Sequence, residues 1–137
     1  MIYIGIDPGR DTGVAVWDSV AGRLLLVKTM SITRAIHEVE CLAERCGKGC
    51  VMLIFEDARQ RKWFGERSEF KQQGAGSVKR DCVIWETFCR EQGIRFRAVP
   101  PVRGGTKVDK CRFKAVTGWT SKTSEHGRDA AILVFGR

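Results

Sequence analysis

The apolar positions of the chain open as an alternation. Ile2, Ile4 and Ile6 fall on one side and Asp7 on the other, and after Pro8-Gly9 a second apolar run, Val14-Ala15-Val16-Trp17, begins. Period two on both sides of a Pro-Gly turn predicts a β-hairpin whose first strand stops at a carboxylate. A polar turn from Asp18 to Gly22 and the run Leu24-Leu25-Leu26-Val27 add a third strand and make an antiparallel meander. The period then changes. Ile32, Ala35, Ile36, Val39, Leu42, Ala43 and Cys46 recur at helical spacing behind Ser31, a capping side chain, and Gly47 ends them; His37 falls on the polar side. Val51-Met52-Leu53-Ile54-Phe55 is short and continuously apolar, as in a central strand covered on both faces, and it too stops at an acid, Glu56.

Periodicity weakens from Asp57 to Gly76, which predicts a long loop. Val78, Cys82, Trp85 and Cys89 then mark one face of a helix from Ser77 to Gln92, closed by Gly93, with Trp85 read as core or subunit interface. Ile94 to Val99 reads as a fifth strand stopped by Pro100-Pro101. A short helix from about Val108 to Val116 precedes Gly118. Ser124 caps a last helix whose packing face is Ala130, Ile132, Leu133 and Val134. The order β-β-β-α-β-α-β-α-α predicts an α/β fold with a five-stranded mixed sheet, antiparallel in its first three strands and parallel afterwards, flanked by helices.

Composition narrows this picture. With 137 residues, 43% hydrophobic and 29% charged, the chain suits one folded domain over residues 1–137. No apolar run approaches the roughly 18 to 20 residues of a membrane span, and Met1-Ile2-Tyr3 lacks a basic leader, so the expectation is a cytoplasmic protein without a membrane partner. Its six cysteines are then expected to be reduced. Cys41, Cys46 and Cys50 are spaced too widely for a CxxC zinc knuckle. Twenty-four basic against 16 acidic residues give a net charge of +8, which fits a polyanion as partner. The stretch after Glu56 sharpens that: cations track phosphates and aromatics stack on exposed bases, making Arg59, Arg61, Lys62, Trp63, Phe64 and Lys71 candidate DNA contacts. The competing reading is a solvated loop whose aromatics tuck onto the core.

The acids supply the chemistry. Asp7 and Glu56 both end strands and would stand side by side if the first and fourth strands pair, while His126 and Asp129, three residues apart, share one side of the last helix. Asp7 as a simple turn cap, and Glu125 as a partner of the helix dipole, are the plainer alternatives. Three carboxylates and an imidazole around one cleft repel one another unless cations sit between them. Mg²⁺, hard and oxygen-seeking, is the expected cation, with Mn²⁺ as its substitute. Two such ions about 4 Å apart would activate water and stabilise the leaving 3′-oxygen in phosphodiester hydrolysis. Lys122, just before the last helix, is a candidate to stabilise charge on the phosphate. No Walker A or GxGxxG sequence is present, so no small-molecule cofactor is expected.

Gly5-Ile6-Asp7-Pro8-Gly9 with Thr12-Gly13, Glu56 at the end of the fourth strand, Val116-Thr117-Gly118 with Lys122, and His126-Gly127-Arg128-Asp129-Ala130-Ala131 come in the order of one known family. Together they resemble the RuvC family of Holliday junction resolvases, over nearly the whole chain. The resemblance implies an RNase H-like fold, a homodimer with two active sites, and Mg²⁺-dependent symmetric nicking of four-way DNA junctions. It implies that Asp7, Glu56 and Asp129 are metal-binding carboxylates, with His126 at the family's fourth catalytic position, where other members have Asp. It also implies that Lys107, Lys114 and Lys122 are basic residues near the scissile phosphate. The chain departs from the pattern at Arg59, where bacterial members carry an aromatic nearby, and in its short stretch from Thr117 to the last helix. Its small size suits a phage-encoded member working in the host cytoplasm. Rival readings are an RNase H-like nuclease acting on flaps, other branched DNA or RNA-DNA hybrid, and a non-catalytic branched-DNA-binding module.

Overall fold

Strand β1 (Ile2–Asp7) lies between two partners of opposite direction. β2 (Asp11–Asp18) runs antiparallel to it with Asp7 opposite Gly13. β4 (Val51–Glu56) runs parallel with Ile6 beside Phe55, so Asp7 and Glu56 are the next residues on neighbouring strands. β3 (Arg23–Ser31) and β5 (Arg95–Val99) complete a five-stranded mixed sheet of order β3-β2-β1-β4-β5. These relations come from a computed structural model that describes residues 1–61, 69–101 and 107–137, with backbone alone for 69–75.

The two sheet faces carry separate cores. Ile4, Ile6, Val14, Val16, Leu53 and Phe55 face helices α1 (Ile32–Cys46) and α2 (Glu69–Gln92), which add Val39, Trp85 and Cys89. On the other face, Ala15, Trp17 and Ile54 meet Phe113 of α3 (Lys110–Thr117) and Ala130, Ala131 and Val134 of α4 (Glu125–Val134). Trp85 is fully buried, which makes it core. Asp7 belongs to the α4 face because strand alternation sets it opposite the isoleucines.

Local signals explain the element ends. Ser31 Oγ accepts from Arg34 N and Ser124 Oγ from Gly127 N, the expected N-caps. Gly118 closes α3 in the left-handed conformation that other residues adopt at a cost. β5 begins one residue later than expected, at Arg95, α3 is shifted to Lys110–Thr117, and larger differences lie elsewhere. β3 extends to Ser31 because pairing with β2 continues through Asp11, carrying Lys28 and Ser31 into the strand despite their polarity. A 3₁₀ turn at Ala58–Gln60 and the start of α2 at Glu69 shorten the loop read from Asp57 to Gly76. The helix was hidden there because Gly74 and Gly76 interrupt any apolar stripe, while Glu69, Lys71, Gln72 and Gln73 are good helix formers. Lys62, Trp63 and Phe64 lie outside the described residues, and Lys71 is described only as backbone of α2. All six cysteines are free thiols. Among the described residues no helix is long and apolar enough to cross a membrane.

Candidate active site

The site is built where α4 begins. Gly13, across from Asp7, has no side chain, and the backbone of α4 occupies the space: a Cβ there would lie 1.9 Å from the His126 carbonyl oxygen. Gly5 does the same one turn on, where a Cβ would lie 2.0 Å from the Ala130 oxygen. Two glycines on neighbouring strands of one sheet face therefore let a helix rest directly on the sheet, bringing its first turn to the end of β1. His126 Nδ1 donates to Asp7 Oδ2 at 2.8 Å, with the imidazole half exposed and the carboxylate largely covered.

The carboxylates feel one another. Burial pushes Asp7 above the usual aspartate range and the nearby charge of Asp129 adds to that, while His126 and Lys107 pull it down without cancelling the rise. Glu56 is likewise raised, first by burial and then by the charges of Asp7 and Asp129, against a lowering by Arg61. The main chain around Glu56 is held on both sides: Asp57 N donates to Val99 O at 2.7 Å and Cys82 Sγ donates to the Glu56 carbonyl at 3.6 Å.

A divalent metal fits this donor set in chemistry. Three mutually repelling carboxylates, two of them with raised pKa, are relieved by a hard cation that accepts oxygen ligands. Their side chains are not drawn into a closed ligand shell: among the described residues no three His, Cys, Asp or Glu groups converge as a metal site, and one Asp7 oxygen is occupied by His126.

No protein-family profile matches the chain, and no curated protein matches it in sequence. Among solved structures, T. thermophilus RuvC in complex with a Holliday junction substrate matches at a TM-score of 0.61 and 17% identity, over 97% of this chain and 90% of that one. The fold is RuvC-like.

Within this RuvC-like, RNase H-like fold the basic residues separate into three settings. Lys107 forms an ion pair with Glu125 and acts on Asp7, so it stands at the carboxylates. Lys114 and Lys122 both line a cavity between α3 and the loop that follows it, and that loop leads directly into α4. Arg59, expected to track DNA, has its guanidinium engaged by two carboxylates of the protein, with its side chain 32% exposed. Nε and Nη2 grip Asp57 at 2.7 and 2.9 Å, and Nη2 also reaches Glu86 of α2 at 2.6 Å. Arg61, by contrast, acts electrostatically on Glu56.

Three residues stand inside the motifs quoted from the sequence, but their roles were not read there. Arg128 is buried, with Nε donating to Val108 O at 2.8 Å and Nη1 to Thr123 Oγ1 at 3.2 Å, so it ties the approach to α3 and the approach to α4 to the residue beside Asp129. An arginine between two functional positions reads as surface until its partners are known. Gly5 and Gly13 could have been found: both are odd-numbered positions facing the same way as Asp7, where a strand would otherwise place β-branched side chains.

Proposed function

We propose that the protein is a Mg²⁺-dependent, structure-selective DNA endonuclease of RuvC type that resolves four-way junctions by paired symmetric nicks, acting as a homodimer. The observation that carries this is the meeting of Asp7 and Glu56, at the ends of paired parallel strands, with the His126–Asp129 turn of α4. The RuvC-like fold over 97% of the chain supports it, since sites at the carboxyl ends of parallel strands suit rigid presentation of ligands.

In this reading Asp7, Glu56, Asp129 and His126 hold two Mg²⁺ ions, with Mn²⁺ able to substitute. Bound there, the metal supplies an activated water and charge stabilisation for the leaving 3′-oxygen. The chain's own groups do the rest. His126 orients the Asp7 carboxylate through its hydrogen bond, and Lys107 favours its ionised, ligating form. Lys122 stabilises charge on the phosphate. The net charge of +8 draws in the DNA.

The test is cleavage of a mobile synthetic four-way junction by wild type and by Asp7→Asn, each with Mg²⁺ and with EDTA. Paired symmetric nicks only for wild type with Mg²⁺, and undiminished junction binding by the variant, are the expected results. A loss of at least about a hundredfold in rate is expected from removing a ligand charge at constant volume. Cleavage of a flap or RNA-DNA hybrid in place of the junction would transfer the proposal to that substrate. Salt-sensitive binding without cleavage under any metal would leave a binding module.

A further inference from the structure

The sheet ends at β3, and that end is open. β3 is nine residues long and pairs with β2 alone. In an antiparallel pair alternate residues turn N–H and C=O to the far side, and among the described residues no backbone bond from outside the sheet reaches those of β3. Beside this edge, on the face that α1 covers, runs a groove of about 450 Å³. Leu26 and Met30 give it an apolar floor, both partly buried against the core. Thr29 belongs to its wall although its hydroxyl bonds Ser124 on the other face of the sheet, so the groove opens onto the strand edge itself.

The rim is charged. Lys28 of β3 and Arg34 and His37 of α1 stand exposed around it against one acid, Glu38. Neither Lys28 nor Arg34 forms an ion pair among the described residues. A second copy of the chain would bring these cations against their own counterparts, and an edge lysine opposes such pairing. A single nucleic-acid strand finds no aromatic among the lining residues on which a base could stack, and its phosphates meet Glu38. An extended peptide uses every feature: main-chain bonds go to the open edge, and alternate side chains enter the groove.

We propose that the β3 edge and this groove dock an extended acidic segment of a partner protein, added to the five-stranded sheet as a further strand. An apolar side chain of that segment lies over Leu26 and Met30, and its carboxylates meet Lys28 and Arg34. The proposal does not depend on the nuclease reading, since none of these residues belongs to the carboxylate centre.

The probe is a fluorescent peptide of four Glu-Val repeats, compared by anisotropy with the same peptide N-methylated at every residue, with four Lys-Val repeats and with oligothymidylate. The Glu-Val peptide should bind at least about tenfold more tightly than the other three. Once bound, it should slow amide hydrogen exchange at alternate residues between Leu26 and Ser31. Lys28→Glu, an exposed change at the edge, should weaken it about tenfold, whereas Lys79→Glu, the same charge change at an exposed position of α2, should not. Equal affinity for the N-methylated peptide would overturn strand addition. Equal weakening by Lys79→Glu would reduce the binding to general attraction by the net charge of +8 and overturn the site. Tighter binding of oligothymidylate that Lys28→Glu weakens would overturn the proposal in favour of nucleic acid, and a dimer that dissociates in Lys28→Glu would overturn it in favour of a second copy.

Discussion

Glu56 works against the stability of the fold that presents it. Its carboxyl is raised above the usual glutamate value of 4.5, first by burial and then by the charges of Asp7 and Asp129. A raised folded pKa means that the charged form destabilises the native state, fully above the folded value and not at all below the unfolded one. Glu56→Gln should therefore melt higher than wild type in EDTA at neutral pH, and the difference should close as the pH falls through the folded value to below 4.5. Mg²⁺ should reverse the order, stabilising wild type alone by mass action. Thermal melts over pH, with and without Mg²⁺, check both signs.

Arg59 illustrates the opposite balance. Burial pushes Asp57 up, but the bonds from Arg59 outweigh it and leave the carboxyl below its ordinary value of 3.8. Arg59→Ala leaves that covered carboxylate without its two-pronged partner and should destabilise by about 2 kcal/mol at neutral pH. The loss shrinks as Asp57 protonates below pH 3.8, measured by urea unfolding at several pH values. Because Asp57 follows Glu56 directly, the variant should also slow cleavage. A pure DNA contact would weaken binding and leave stability untouched.

At the scale of elements, the seat of α4 on two glycines decides whether a site exists. Helix and sheet meet backbone to backbone at Gly13 and Gly5, with no side chain between them to yield. Gly13→Ala puts a methyl group into the His126 carbonyl and must move the first turn of α4 away from β1. The cost should be about 3 kcal/mol. More tellingly, the His126–Asp7 hydrogen bond should break, visible as a change in the His126 ring resonances of whatever protein still folds. The helix ends needed no such context. Ser31, Ser124, Gly47 and Gly118 cap or close their helices where the chain announces them, because capping depends on a few adjacent residues. The start of α2 was not announced: its first turns lack an apolar face and carry Gly74 and Gly76.

For the whole molecule, symmetric nicking demands two sites. One chain of 15.4 kDa presents one set of carboxylates, so sedimentation should return twice that mass at the concentrations where paired nicks occur. A monomer that nicks one strand at a time would refute the dimer while leaving the metal chemistry standing. The strand order β3-β2-β1-β4-β5 is what makes any of this available, because it sets β1 between an antiparallel and a parallel neighbour and so leaves two acids at one sheet end.

The sequence by itself determined the alternation that makes the hairpin, the caps, the order of elements, the two acids that end β1 and β4, and the pairing of His126 with Asp129 on one helix side. Each follows from residues within a turn or a strand of one another, where local sterics and period decide. The tertiary structure alone decided which charges meet. Arg59 and Glu86 are far apart in sequence, as are Lys107 and Glu125, and Arg128 binds two loops from a buried position. Such pairings depend on how helices lie against the sheet: the close approach at Gly5 and Gly13 sets α4, and the packing of Cys82, Trp85 and Cys89 on the opposite face sets α2, neither of which shows in the charge pattern along the chain.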